Sequence, residues 1–143
     1  MIFDGKFEST ISGRPQILLD ENNQFLLAWQ QRSYEIAVTK FDGLASTTEK
    51  TIFSKANKQA STPSLIVNNF KKPYVFWSHG SDTGGGIYFS WQKQNGQWQE
   101  IKTALEKSQP IMWARAVIDL NNIAHLVWGN DHLEIYYTYG KIE

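Results

Sequence analysis

Short apolar runs separated by polar turns organise this chain, and no helical period competes with them. Phe25-Leu26-Leu27-Ala28-Trp29 is almost continuously apolar, the pattern of a strand covered on both faces. Ile135-Tyr136-Tyr137-Thr138-Tyr139 alternates in bulk and polarity, as a strand with two unlike faces does. The runs are rich in Ile, Val, Leu, Tyr and Phe and are bounded by Asn, Asp, Gly or Pro, the signature of strands between tight turns. No stretch keeps a 3.6-residue period beyond about two turns. Residues 101–109 come nearest to one and are read as a connector. The expected class is all-β.

The runs recur. Residues 14–30, 62–78 and 113–129 each hold an apolar run and then Asp or Asn (Asp20, Asn68, Asp119). A polar turn and a second apolar run follow, and the second run ends in Trp29, Trp77 or Trp128. The tryptophans are 48 and 51 residues apart (77 less 29, 128 less 77). A third β-rich run comes after each, beginning at Tyr34, Ile87 and Ile135. A fourth strand, d, is expected after the Asn95-Gly96 hairpin signal, over Gln97 to Ile101, and more weakly near Glu49 to Phe53. Four antiparallel strands per repeat of about 50 residues make the blade of a β-propeller. The segment Asp4-Gly5-Lys6-Phe7 matches Asn95-Gly96-Gln97-Trp98 and is expected to be a fourth strand set at the other end of the chain.

The order of these elements, Pro-x-apolar run-Asp/Asn, apolar run-Trp, Ile-Tyr-Tyr/Phe-Ser/Thr and Asn-Gly-x-Trp, resembles the degenerate repeats of sialidase-like and lectin-like β-propellers. The group's Asp box, Ser-x-Asp-x-Gly-x-x-Trp, is matched only at Gly96 and Trp98. The boundaries expected are strand d of a closing blade over 1–12, blade 1 over 13–60, blade 2 over 61–108, and blade 3 without its strand d over 109–143. Rings of this kind hold ~4–8 blades. Three blades per chain therefore imply a homodimer forming a six-bladed ring, the N-terminal strand of one copy completing the partner's last blade.

Composition narrows the function. Fourteen Lys+Arg balance fourteen Asp+Glu, with a pI near 6.8, so the basic excess of a nucleic-acid binder is missing. There is no cysteine, which removes disulfide frameworks, thiolate metal sites and cysteine nucleophiles. No apolar run approaches the ~20 residues of a helical membrane span. Neither a signal peptide nor a compartment is legible. Aromatic residues are abundant at 14%, including six Trp in 143 residues.

In a propeller the d–a connectors and the b–c loops share one face. All three arginines fall there (Arg14, Arg32, Arg115), while the eleven lysines lie mostly elsewhere. A guanidinium pairs with carboxylate or phosphate in a planar fork that an ammonium cannot supply. Trp113, in a d–a connector, has no Trp counterpart in the other repeats and is a candidate stacking surface for a sugar. Tyr34, His79, Asp82, Asp131 and His132 are placed in b–c loops and complete the candidate ligand-binding set. Gly84-Gly85-Gly86 lacks the Lys-Ser/Thr of a phosphate loop and is read as a flexible hairpin loop. No cofactor or metal is expected, since the histidine spacing fits no zinc motif. A sialidase likeness implies a nucleophilic Tyr with a carboxylate partner, for which Tyr34 and Glu35 alone are neighbours on that face. Side chains adjacent in a strand point to opposite faces, which weakens the pair. The expectation is a non-catalytic binding propeller, lectin-like, for an acidic or neutral glycan. The alternatives are an interaction ring without a small ligand and a sialidase-like glycosidase.

Overall fold

The computed structural model describes residues 13–20, 24–41, 50–55, 59–81, 84–130 and 132–142. Among the described residues, eleven strands form three antiparallel sheets in chain order. The first holds β1 (Gly13–Leu19), β2 (Phe25–Arg32), β3 (Glu35–Phe41) and β4 (Lys50–Ser54). The second holds β5 (Gln59–Val67), β6 (Pro73–Ser81), β7 (Gly84–Trp91) and β8 (Lys102–Lys107). The third holds β9 (Met112–Ile118), β10 (Ile123–Gly129) and β11 (Ile135–Lys141). The all-β, blade-by-blade organisation expected from the repeats is present. The described part of the third sheet has three strands, and the expected strand over residues 1–12 lies outside the described residues.

The recurring Asp or Asn has a local cause. Each closes the turn between the first two strands of its sheet by accepting backbone N–H donors that the turn would otherwise leave unpaired. Asp20 Oδ1 accepts from Gln24 N at 2.9 Å. Asn68 Oδ1 accepts from the amides of Phe70 and Lys72, both at 3.0 Å. Asp119 Oδ1 accepts from Asn121 and Ile123, both at 2.8 Å. The backbone amide of each residue also donates to the carbonyl four residues on.

Two apolar seams join the sheets. Strand alternation gives each sheet a forward face, toward the next sheet in the chain, and a back face. Leu26, Ala28, Ile36, Val38 and Phe53 from the first sheet meet Leu65, Val75, Trp77 and Tyr88 from the second. Tyr74, Phe76 and Ile87 on the forward side of the second sheet meet Ala116, Leu126 and Trp128 from the third. Trp77 is fully buried and stacks on Phe53 at 5.1 Å between centroids. Burying a large apolar side chain of this sort stabilises by roughly 1.5–3 kcal/mol. Trp77 and Trp128 are thus packing residues between sheets, as their recurrence suggested.

Three local expectations are corrected. The fourth strand of the second sheet is Lys102–Lys107, five residues beyond the place expected, and the segment read as a connector forms it. Asn95-Gly96 does make a turn, with Gly96 at φ +83°, but the return pairs only at Gln92 and Trp98 before β8 begins. His79 belongs to β6 and Gly84-Gly85-Gly86 to β7, so the b–c loop there is much shorter than expected. The glycines are buried, close-packed strand. A Cβ on Gly85 would sit 2.5 Å from the Ile111 amide nitrogen, so glycine is what lets the next sheet's inner edge pass.

Candidate ligand-binding site

The innermost strands β1, β5 and β9 carry the same irregularity at the same repeat position. Arg14, Thr62 and Trp113 have φ of +59°, +26° and +51°, where non-glycine residues are uncommon. The strand register shifts beside each of them, the mark of a β-bulge. A bulge re-aims a side chain that would otherwise stay in the pleat. Here Arg14 and Trp113 are turned toward one depression of about 320 Å³, together with Gln30, Gln59, Ser61 and Met112. The depression lies where connectors entering the inner strands meet the ends of the second strands. The Ala60 amide donates to the Ser33 carbonyl at 2.7 Å, tying the start of β5 to the turn between β2 and β3.

The mouth presents a guanidinium, amide side chains and an indole. Arg14 Nη1 donates to Thr62 Oγ1 at 2.8 Å, which fixes the guanidinium and leaves its other N–H donors available to a ligand. Trp113 is 47% exposed, with the Cε3–Cζ3 edge of its ring beside Gly129. Partial burial and, after it, the positive charge of Arg14 lower the Arg115 pKa from its ordinary value. Arg115 is exposed and is not among the residues that line the depression. Gln30 and Gln59 add amide donors and acceptors. Sequence reasoning missed both; the available signal for Gln30 was its place directly after Trp29, at the strand end facing the mouth.

The remaining predicted residues are dispersed. Arg32 is exposed and pairs with Glu35 at 3.9 Å, and Tyr34 lies half-exposed in the adjoining turn. His132 is exposed, its amide donating to Asn130 Oδ1 at 3.0 Å. His79 is corrected from a surface position to the core, with no exposure, its ring edge-on to Trp77 and Tyr88. Burial follows from its strand pairing with Gly86, which places it in the middle of the second sheet. Asp82 and Asp131 lie outside the described residues. Among the described residues no three of His, Asp and Glu gather as a metal site would require.

Among the described residues two tyrosine–carboxylate pairs occur away from the mouth. The Tyr88 hydroxyl donates to Glu106 Oε1 at 2.8 Å, while Tyr136 donates to Glu134 at 2.5 Å. Burial, then the Glu106 hydrogen bond and charge, push the Tyr88 phenol far above its ordinary value. Glu134 raises Tyr136 in the same direction. A wider depression of about 670 Å³ on the opposite rim carries Lys40, Lys71, Lys72 and Lys93. Its cations are already engaged in part: Lys72 Nζ lies 4.8 Å from the Trp91 ring centroid, and Lys40 Nζ lies 3.8 Å from Asp20.

No protein-family model matches the chain, and no curated protein matches its sequence. Among solved structures it is similar to an α-L-arabinofuranosidase (CtGH43) from Clostridium thermocellum, a five-bladed β-propeller, with a TM-score of 0.57. The match covers 92% of this chain and 48% of that one at 15% identity, so the chain spans about half the length of its structural neighbour. At that identity the likeness concerns fold: this is a propeller-like arrangement of antiparallel blades.

Proposed function

We propose that the chain is a ligand-binding propeller, non-catalytic, that holds an acidic or neutral glycan at the mouth of its inner strands. One observation carries the reading: the bulges of two different sheets bring Arg14 and Trp113 to a single depression. A guanidinium reads a carboxylate or sulfate on a sugar, and an indole stacks on the apolar face of the ring. The similarity to a glycosidase of propeller fold supports a sugar as the ligand class. The described lining offers a guanidinium, amides and an indole, which is a binding set. A glycosidase would need two facing carboxyl groups ~5–9.5 Å apart.

A glycan array on the purified chain, followed by calorimetry with the best neutral and acidic sugars, tests this. Arg14→Ala should weaken an acidic ligand roughly ten- to a hundredfold, the loss of one charge-assisted pair worth about 1.5–3 kcal/mol. Arg14→Lys should restore part of it, and Trp113→Ala should weaken neutral and acidic sugars alike. Absence of any glycan binding in the parent, or unchanged affinity in all three variants, defeats the reading.

The assembly that goes with this site is a six-bladed ring of two copies, residues 1–12 of each supplying the fourth strand of the partner's third sheet. The position for it is beside β11, the outermost described strand of that sheet. Deleting residues 1–9 should then leave an open sheet edge that promotes aggregation.

A further inference from the structure

The forward face of the third sheet has the composition of a seam and none of a seam's burial. Its positions can be matched to the other sheets through strand register. Ala28 pairs with Val38, Phe76 with Phe89 and Val127 with Tyr137, so these pairs stand at one place in the repeat. Counting outward, Leu18, Leu26 and Ile36 correspond to Ile66, Tyr74 and Ile87, and then to Val117, His125 and Ile135.

In the first two sheets this set is pressed against the next sheet. Leu26, Ala28, Ile36, Tyr74 and Ile87 have no exposure, and Val38 has 1%. In the third sheet Val117 is 61% exposed, Val127 42%, Ile135 81%, Tyr137 57% and Tyr139 65%. His125 joins them, its ring stacked beside Tyr137 and Tyr139 and its Nε2 3.3 Å from Asp119. Contiguous apolar surface of this kind marks an interaction site. The two internal seams also say what sort of surface fits it. The residues that cover a forward face are Leu65, Val75 and Trp77 in the second sheet, and Ala116, Leu126 and Trp128 in the third. Their counterparts in the first sheet are Ile17, Leu27 and Trp29, of which Trp29 is buried at 8% in the single chain and Leu27 half-buried. Ile17 is 62% exposed, and Leu19 on the same face is 50% exposed.

We infer that the forward face of the third sheet docks the back face of the first sheet of a second copy, continuing the seam the chain already makes twice. The inference rests on the two-copy ring reading and adds the surfaces that hold it. Each chain carries one face of each kind, so the contact is heterologous and recurs twice when two copies close. Two copies give six blades, inside the range in which propellers close.

The test uses the full chain in solution by light scattering, with the β content checked by circular dichroism. The parent should have twice the 16.4 kDa chain mass at micromolar concentration. Val117→Asp and Ile135→Asp on one face, and Ile17→Asp on the other, alter positions that are exposed in the single chain, so the fold should survive. Each should shift association at least tenfold toward the single-chain mass. Ile17→Asp provides an independent variant on a different sheet should a change in the third sheet unfold the chain. A dimeric parent with dimeric, folded variants overturns the docking surfaces but leaves a ring held by strand exchange. A parent of single-chain mass overturns both, and a larger assembly overturns closure by two copies. Glycan affinity in the same variants reports separately on the mouth, whose residues they do not touch.

Discussion

Replacing Asn68 by Ala tests whether the recurring Asp/Asn is a turn lock or an ornament of the repeat. Asn68 is 6% exposed, and its Oδ1 accepts two backbone amides, Phe70 and Lys72, each at 3.0 Å. Alanine removes that acceptor and leaves both donors to whatever water reaches the turn. With each bond contributing about 0.5–1.5 kcal/mol net, the loss should be roughly 1–3 kcal/mol. For a chain of this size a loss of about 2 kcal/mol lowers Tm by roughly 4–10 °C. Asn68→Asp should keep most of the stability, because Asp20 and Asp119 make the same turn in the other sheets. Urea titration followed by tryptophan fluorescence measures all three proteins. If Ala costs less than about 0.5 kcal/mol, or if Asp costs as much as Ala, the turn-lock account is wrong.

Two further outcomes follow from the core and from the third turn. Trp77→Ala opens the seam between the first and second sheets and should cost about 3–5 kcal/mol in urea unfolding; a loss under about 1 kcal/mol would show that Trp77 is not the wedge. The Ile123 amide above all, with those of Asn121 and the His125 ring assisting against desolvation, holds the Asp119 carboxyl below its ordinary value. That contribution is complete above the unfolded carboxyl range near pH 4 and fades as pH falls through the lower folded value. Asp119→Asn keeps the acceptor without the titration, so its Tm should fall less steeply than the parent's between pH 4 and pH 2. Superimposable curves would remove Asp119 from the account of acid sensitivity.

The repeat was legible because its punctuation is chemical. A turn that needs a side-chain acceptor selects Asp or Asn, and a seam that needs a broad wedge selects Trp at Trp77 and Trp128. Those demands recur with each blade, so they show in one sequence. β8 was misplaced because Lys102-Thr103-Ala104-Leu105-Glu106-Lys107 is built largely of residues that favour helices in isolation. Pairing with β7 overrides that preference, and pairing is not a local property. The glycine run misled in the other direction. Three consecutive glycines read as freedom, yet at Gly85 the missing side chain makes room for the Ile111 backbone of the next sheet. His79 was drawn into a loop by the same error. At the mouth, Arg14 and Trp113 stood out because each lies at the entry to an inner strand, near the start of β1 and of β9. Gln30 and Gln59 did not, since their relevance arises only when neighbouring sheets bring strand ends together.

The shared position of Arg14, Thr62 and Trp113 separates what the fold imposes from what the ligand reading needs. A left-handed backbone at a non-glycine residue costs of the order of 1–3 kcal/mol and persists only where its surroundings hold it. Here it occurs at three equivalent places beside three register shifts, so the blade itself maintains it. A strain confined to one sheet would point to a local function, whereas a strain repeated in each sheet points to construction. What varies is the side chain. The first sheet supplies a guanidinium, the second a fully buried hydroxyl that accepts from that guanidinium, and the third a half-exposed indole. The bulge sets the direction and the residue sets the chemistry. Thr62 thus anchors rather than contacts, and the two residues left facing the depression are the pair, cationic and aromatic, on which the glycan reading stands.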